Sequence, residues 1–217
     1  EILTDGALGY YTGNNNWDRP TGRLKGAFFA VYAESAGKSA ARILRLPSAD
    51  EYSGVKNISD VEYSGWFPTA QLTYNDTDLP AQVSLYAWSP LIPNNIDDSS
   101  LPTAVFRFTL RNPNDEPMKA AILMSWPNMI GFGGDRDTKW DDLNGNIQSF
   151  KDKTDQCMLV YSKNAKSAVD PTFIGSYVIS VSKKDNSVSY IKEFDAASAA
   201  LPFWDSFSTS GTIEGGA

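Results

Sequence analysis

Residues 103–126 read TAVFRFTLRNPNDEPMKAAILMSW, and their pattern decides the class of fold. Over 103–111 the apolar side chains of Phe106, Phe108 and Leu110 alternate with Arg107, Thr109 and Arg111. That period of two puts the two sets on opposite faces of an extended strand with one buried face. Over 118–126, Ile122, Met124 and Trp126 fall on one face and Ala121 and Leu123 on the other, as in a strand covered on both sides. Between them lies Asn112-Pro113-Asn114-Asp115-Glu116-Pro117. Its two prolines lack a backbone donor and its Asn and Asp side chains mimic turn hydrogen bonds, so the sequence predicts a hairpin joining the two strands.

Working outward, the same signals predict strands over 24–33, 41–46, 71–74, 82–88, 157–162, 177–182 and 187–192, the last two as a second hairpin across Lys183-Lys184-Asp185-Asn186. Helical signal is scarce. One turn is expected over 195–200 under an Asp195 cap, ended by Leu201-Pro202, and another short turn over 203–207. Of the 26 acidic residues 19 are Asp and 7 are Glu, an imbalance that disfavours long helices. Many short strands separated by Gly, Pro and Asn predict an all-β chain, a two-sheet antiparallel β-sandwich, with residues 1–217 forming a single domain.

Composition narrows the chemistry. The chain has one cysteine, Cys157, and no histidine, which excludes an internal disulfide, His-ligated zinc, the Ser-His-Asp triad and the Cys-His pair. Carboxylates, hydroxyls and lysine remain. The 19 basic residues stand against 26 acidic ones, net −7, with no basic block, so no nucleic-acid partner is expected. No apolar run reaches the length of a membrane span. The chain opens on Glu1 and is read as a piece of a longer or processed product. One cysteine fits a cytoplasmic protein and a bacterial secreted one alike, and the reading leans to the cytoplasm.

The richest polar cluster is residues 131–146, GFGGDRDTKWDDLNGN. Its carboxylates do not follow the calcium-loop order and no Glu closes the run, and its glycines match neither phosphate-binding motif, so a solvated polar loop is the reading and no metal or cofactor is expected. Six tryptophans raise the possibility of sugar stacking. Trp88 and Trp126 sit in strand patterns and are expected in the core, whereas Trp140 among polar neighbours is the candidate exposed platform. With 26 acids, no catalytic carboxylate pair can be chosen from sequence.

The middle of the chain also carries a family likeness. Ser89-Pro90-Leu91-Ile92-Pro93, Asp98-Ser99-Ser100-Leu101-Pro102, the strand over 104–110 with Asn112 behind it, and 122–126 closing on Asn128 together resemble the amino-terminal domain of the non-lysosomal glucosylceramidase type of β-glucosidase, glycoside hydrolase family 116. Fainter matches are Phe67-Pro68 with Ala70, the glycine-rich 131–135, and Trp204, Phe207 and Gly211, which extend the likeness over roughly residues 20 to 213.

The resemblance implies a large antiparallel sandwich that precedes an (α/α)6 barrel and packs on it, in a retaining enzyme acting on β-glucosides or glucosylceramide-like lipids. The family's nucleophilic Glu and acid/base Asp lie in that barrel, and no residue here matches either, so no catalytic residue is assigned and this chain alone is expected to be inactive. Further strands are expected before Glu1 and after Ala217. The loop over 128–140 is expected at the rim of the active site, with Asp135 or Arg136 bonding sugar hydroxyls and Trp140 stacking on an aglycone or outer ring. The alternative is a stand-alone carbohydrate-binding module, which a line of exposed aromatics on one sheet face would favour.

Overall fold

The computed structural model of the chain describes residues 2–10, 22–24, 26–48, 52–128, 130, 147–162, 175–184, 186–195 and 198–214. It is all-β with antiparallel sheets, as the periodicity predicts. The chain forms two compact units, the first made of 1–126 with 196–212 and the second of 127–195 with 213–217.

The first unit opens with a two-stranded ribbon, β1 (Gly9–Tyr10) paired with β2 (Gly22–Arg23). Its centre is β3 (Phe28–Ser35), flanked by β4 (Lys38–Ile43) and β9 (Met118–Ser125). A second sheet runs in the order β5 (Asp60–Trp66), β6 (Thr69–Asn75), β7 (Gln82–Trp88), β8 (Val105–Arg111). Strand β3 begins four residues later than expected because Gly26, at φ 78°, turns the chain first, with the Ala27 N–H donating to Leu24 O. All but one of the β3 residues are buried, because both of its faces are covered. Phe29 packs on Phe106 and Phe108 of the other sheet, with ring centroids 5.1 and 4.9 Å away. On the opposite face, Tyr32 meets Phe207 of the helix α2 (Trp204–Ser210) edge-on at 6.5 Å.

Helix α2 is too short to be stable by itself. It is held by burial of Trp204 and Phe207 and is stopped by Gly211 at φ 72°, whose N–H donates to Phe207 O. At the other predicted turn, residues 198–200 form bends rather than a helical turn. A four-residue helix that the sequence reading missed, α1 (Ile96–Ser99), is capped by Asn95, whose side chain accepts from the Asp98 N–H.

The predicted hairpin over 103–126 is corrected by the pairing. Arg111 pairs with Gln82 and Met118 with Ser35, so β8 and β9 end up in different sheets and residues 112–117 arch from one sheet to the other. Six residues exceed the ~2–5 of an ordinary hairpin loop. The arch is fixed by side chains instead. Asn112 Nδ2 donates to Glu116 O at 2.7 Å, Asn112 Oδ1 accepts from the Asn114 N–H, and the Ser35 hydroxyl also donates to Glu116 O.

The second unit is a three-stranded antiparallel sheet, β10 (Ile147–Asp152), β11 (Gln156–Ser162) and β12 (Ser176–Ser182), with β11 central. Its second predicted hairpin is also corrected. Residues 187–192 form no strand, and β12 pairs with β11 through seven residue pairs. The alternating Ser187, Ser189 and Tyr190 stretch stays beside the sheet through Tyr190, which stacks on Phe150 with ring centroids 3.5 Å apart.

Candidate functional site

Asp135, Arg136 and Trp140 lie outside the described residues, as does all of 131–146. Where that segment begins, Asn128 is fixed from both sides of its amide: Nδ2 donates to Ser162 O at 3.1 Å and Oδ1 accepts from the Ile130 N–H.

Several of the described carboxylates are engaged in the fold. Asp76 is 3% exposed and accepts from Arg42 Nε at 2.8 Å, the Ser59 hydroxyl at 3.0 Å and the Asp78 N–H at 2.9 Å. Burial pushes its carboxyl up, but these donors together outweigh burial and hold it below the ordinary value. Such a group is an ionised anchor for Arg42 rather than a proton donor. Asp152 is held low chiefly by a 2.7 Å bond from Lys183, while burial followed by the Asp152 contact pushes the Cys157 thiol up, leaving an inert sulfur. Tyr32 is pushed up to about 12 by burial and by its hydrogen bond to Glu34, so it is a neutral donor at every working pH. Among the described residues no group of three or more Cys, Asp or Glu is placed to hold a metal ion.

A concentration of exposed apolar side chains sits instead at one end of the four-stranded sheet. Strand β5 ends and β6 begins there, joined by the cis Phe67–Pro68 peptide, and β7 leaves for β8 through residues 89–104. The Ser89 N–H donates to Pro68 O at 3.2 Å, tying the two connections together. On them Trp66, Phe67 and Ile96 are 84%, 83% and 83% exposed, and Leu91, Ile92 and Leu101 are about half exposed.

The longer connection has no core of its own, yet it is closely bonded to itself. Ser99 Oγ donates to Ile92 O at 3.0 Å and accepts from the Ile92 N–H at 2.8 Å. Asn95 Nδ2 donates to Asp98 Oδ2, and Asn94 adopts φ 63°, a turn conformation asparagine tolerates well. Backbone and polar side chains thus hold the loop in shape while its aliphatic side chains face water. Large apolar surface of this kind marks an interaction site, for a protein, a membrane or a ligand.

Sequence reading missed this surface. The available signal was the presence of Leu91, Ile92, Ile96 and Leu101 in a Pro-, Ser- and Asp-rich stretch with no helix or strand period to bury them. Trp88 also corrects the reading: it is half-buried on the outer face of its sheet rather than in the core. Trp204 is buried, as are Val83, Leu85 and Ala87 on the inner face of β7.

An all-β antiparallel chain that presents aliphatic side chains on a preformed loop has the build of one component of a larger protein. A family model described as "beta-glucosidase 2, glycosyl-hydrolase family 116 N-term" matches residues 15–216, and the chain belongs to that family. Description as an N-terminal domain implies a catalytic domain in the same protein.

Proposed function

We propose that this chain is a non-catalytic brace for the catalytic barrel of a retaining β-glucosidase of the glucosylceramidase type, and that the apolar end of the four-stranded sheet is the surface that packs on it. The observation that carries the reading is the exposure of Trp66, Phe67 and Ile96 on connections held by their own hydrogen bonds. Burying Phe67 and Ile96 on a partner supplies roughly 1.5–3 kcal/mol each before the costs of association, and covering one side of the Trp66 indole adds to it. A loop already fixed by Ser99 and Asn95 loses little conformational entropy on docking. Both units lie within one family match, so both are read as parts of a single N-terminal domain.

In this reading Asp135, Arg136 and Trp140 reach the active-site rim and touch sugar hydroxyls or an aglycone, while the reacting carboxylates come from the barrel. The triple substitution Phe67→Ser, Ile96→Ser, Leu101→Ser tests the brace. In the protein carrying both domains it lowers the melting temperature of the helical domain and the turnover of an aryl β-glucoside. The 217-residue chain alone keeps its own melting temperature, since none of the three is buried in it. Unchanged melting and turnover in the two-domain protein would discard the proposed docking surface.

A further inference from the structure

The outer face of the same sheet differs in chemistry from its apolar end. Register places Ser64, Gln71, Tyr86 and Arg107 in one row across the four strands, and Trp66, Thr69, Trp88 and Val105 in the next. Tyr86 and Trp88 pack on one another with ring centroids 5.4 Å apart. The Arg107 guanidinium lies 5.3 Å from the Tyr86 ring and 5.6 Å from the Trp88 ring. Neither the Arg107 nor the Gln71 side chain makes a hydrogen bond among the described residues, and both are exposed on either side of Tyr86, Arg107 being held over the two rings. Trp66 stands two strands from Trp88, about 10 Å away between backbones, and is almost fully exposed.

We infer that this face binds a neutral carbohydrate chain of all-equatorial β-linked pyranose units. Such rings present flat C–H faces that lie against Tyr and Trp, and a rim of hydroxyls that can be met by the Gln71 amide and the Arg107 N–H groups. The exposed Trp66 and the half-buried Trp88 are spaced for separate rings of one chain. Charge selects against a polyanion: Arg107 and Arg111 share the face with Asp60 and Glu62, so it carries no net sign. Val105 is the one aliphatic side chain in these two rows, whereas the aliphatic side chains gather at the sheet end. The inference does not depend on the brace and would survive its failure.

Affinity electrophoresis of the full-length protein provides the test, with hydroxyethylcellulose as the β-linked polymer and soluble starch as the α-linked one in otherwise identical native gels. Hydroxyethylcellulose is expected to retard the wild-type protein, and starch to retard it much less. Gln71→Ala and Trp66→Ala, both at exposed positions that leave the core untouched, each weaken the apparent affinity several-fold, and Trp88→Ala weakens it at least tenfold. Equal migration of the wild-type protein with and without hydroxyethylcellulose overturns the inference. Retardation that persists in a Trp66→Ala, Gln71→Ala double variant also overturns it, by placing binding elsewhere.

Discussion

Replacing Gly211 by alanine tests the packing of the first unit at its tightest point. Gly211 ends α2 at φ 72°, a region that costs an L-residue about 1–2 kcal/mol. Space is a second obstacle. A Cβ there would stand 2.7 Å from Tyr32 Cδ1 and 3.2 Å from Ala121 Cβ, both part of the central three-stranded sheet. Tyr32 cannot swing aside freely: it is 1% exposed and its hydroxyl donates to Glu34 Oε2 at 2.8 Å and Thr209 O at 3.1 Å. Overpacking of a filled core costs about 1–3 kcal/mol more, for a total of roughly 2–5 kcal/mol.

Gly37 supplies the control. It sits in the two-residue turn between β3 and β4 at φ 73° with nothing within 4 Å of its Cβ position, so Gly37→Ala incurs the backbone cost alone. By calorimetry, at roughly 2–4 °C per kcal/mol for a chain of this size, Gly211→Ala melts several degrees below Gly37→Ala. In a Tyr32→Ala background the ring is gone and only the 3.2 Å approach to Ala121 remains, so the added cost of Gly211→Ala shrinks toward that of Gly37→Ala. Equal melting temperatures for the two glycine variants, or a Gly211→Ala cost unchanged by removing the Tyr32 ring, would refute the argument from close approach.

Two further outcomes follow, the first from the structure and the second from the proposed function. Asp76→Asn leaves Arg42, 7% exposed, without its main counter-charge and costs about 3 kcal/mol. Because the folded Asp76 carboxyl lies below its ordinary 3.8, its stabilisation is present above that pH and is lost as the pH falls through the folded value; a melting-temperature series from neutral to acid pH shows a shallower acid decline in the variant. Trp140→Ala in the two-domain enzyme raises KM for β-glucosides with long aglycones and leaves small aryl glucosides little changed, and identical kinetics on both removes the 128–140 loop from the active-site rim.

The strands were legible where one face is buried and the other wet. Strand β7 falls on 82–88 as its alternation predicts, and β11 and β12 begin within one residue of expectation. Strand β5 was missed although Val61 and Tyr63 alternate with Asp60, Glu62 and Ser64: the alternating run is only five residues long, Gly65 breaks it, and the strand buries almost nothing on either face. Partner choice was less legible than strand identity. The pattern at 103–111 fixes which side chains of β8 face inward but not which strand pairs with it, and the pairing of Arg111 with Gln82 and of Met118 with Ser35 reveals the arch that Asn112 and Ser35 then hold. The faint likeness at Trp204, Phe207 and Gly211 has a physical meaning: two aromatic residues seat α2 on the sheet and the glycine lets the chain pass the Tyr32 ring.

The four-stranded sheet separates three demands that would conflict on one surface. Its inner face, through Leu72, Val83 and Leu85, carries the core, so substitutions there act on stability. Its end presents aliphatic groups on a self-bonded loop, where Ile96 can be changed without opening a cavity. Its outer face carries planar aromatic and polar groups that contribute little to the core. Trp66 stands where the end and the outer face meet, at the last residue of β5 and in the same cross-strand row as Trp88. A domain docked on the sheet end would cover one side of the Trp66 indole and fix its orientation, leaving Gln71, Tyr86 and Arg107 open. Trp66 is therefore the residue through which docking and sugar binding would be coupled. Trp66→Ala should weaken both, whereas Ile96→Ser should weaken docking alone and Gln71→Ala sugar binding alone, an asymmetry set by where each side chain leaves the sheet.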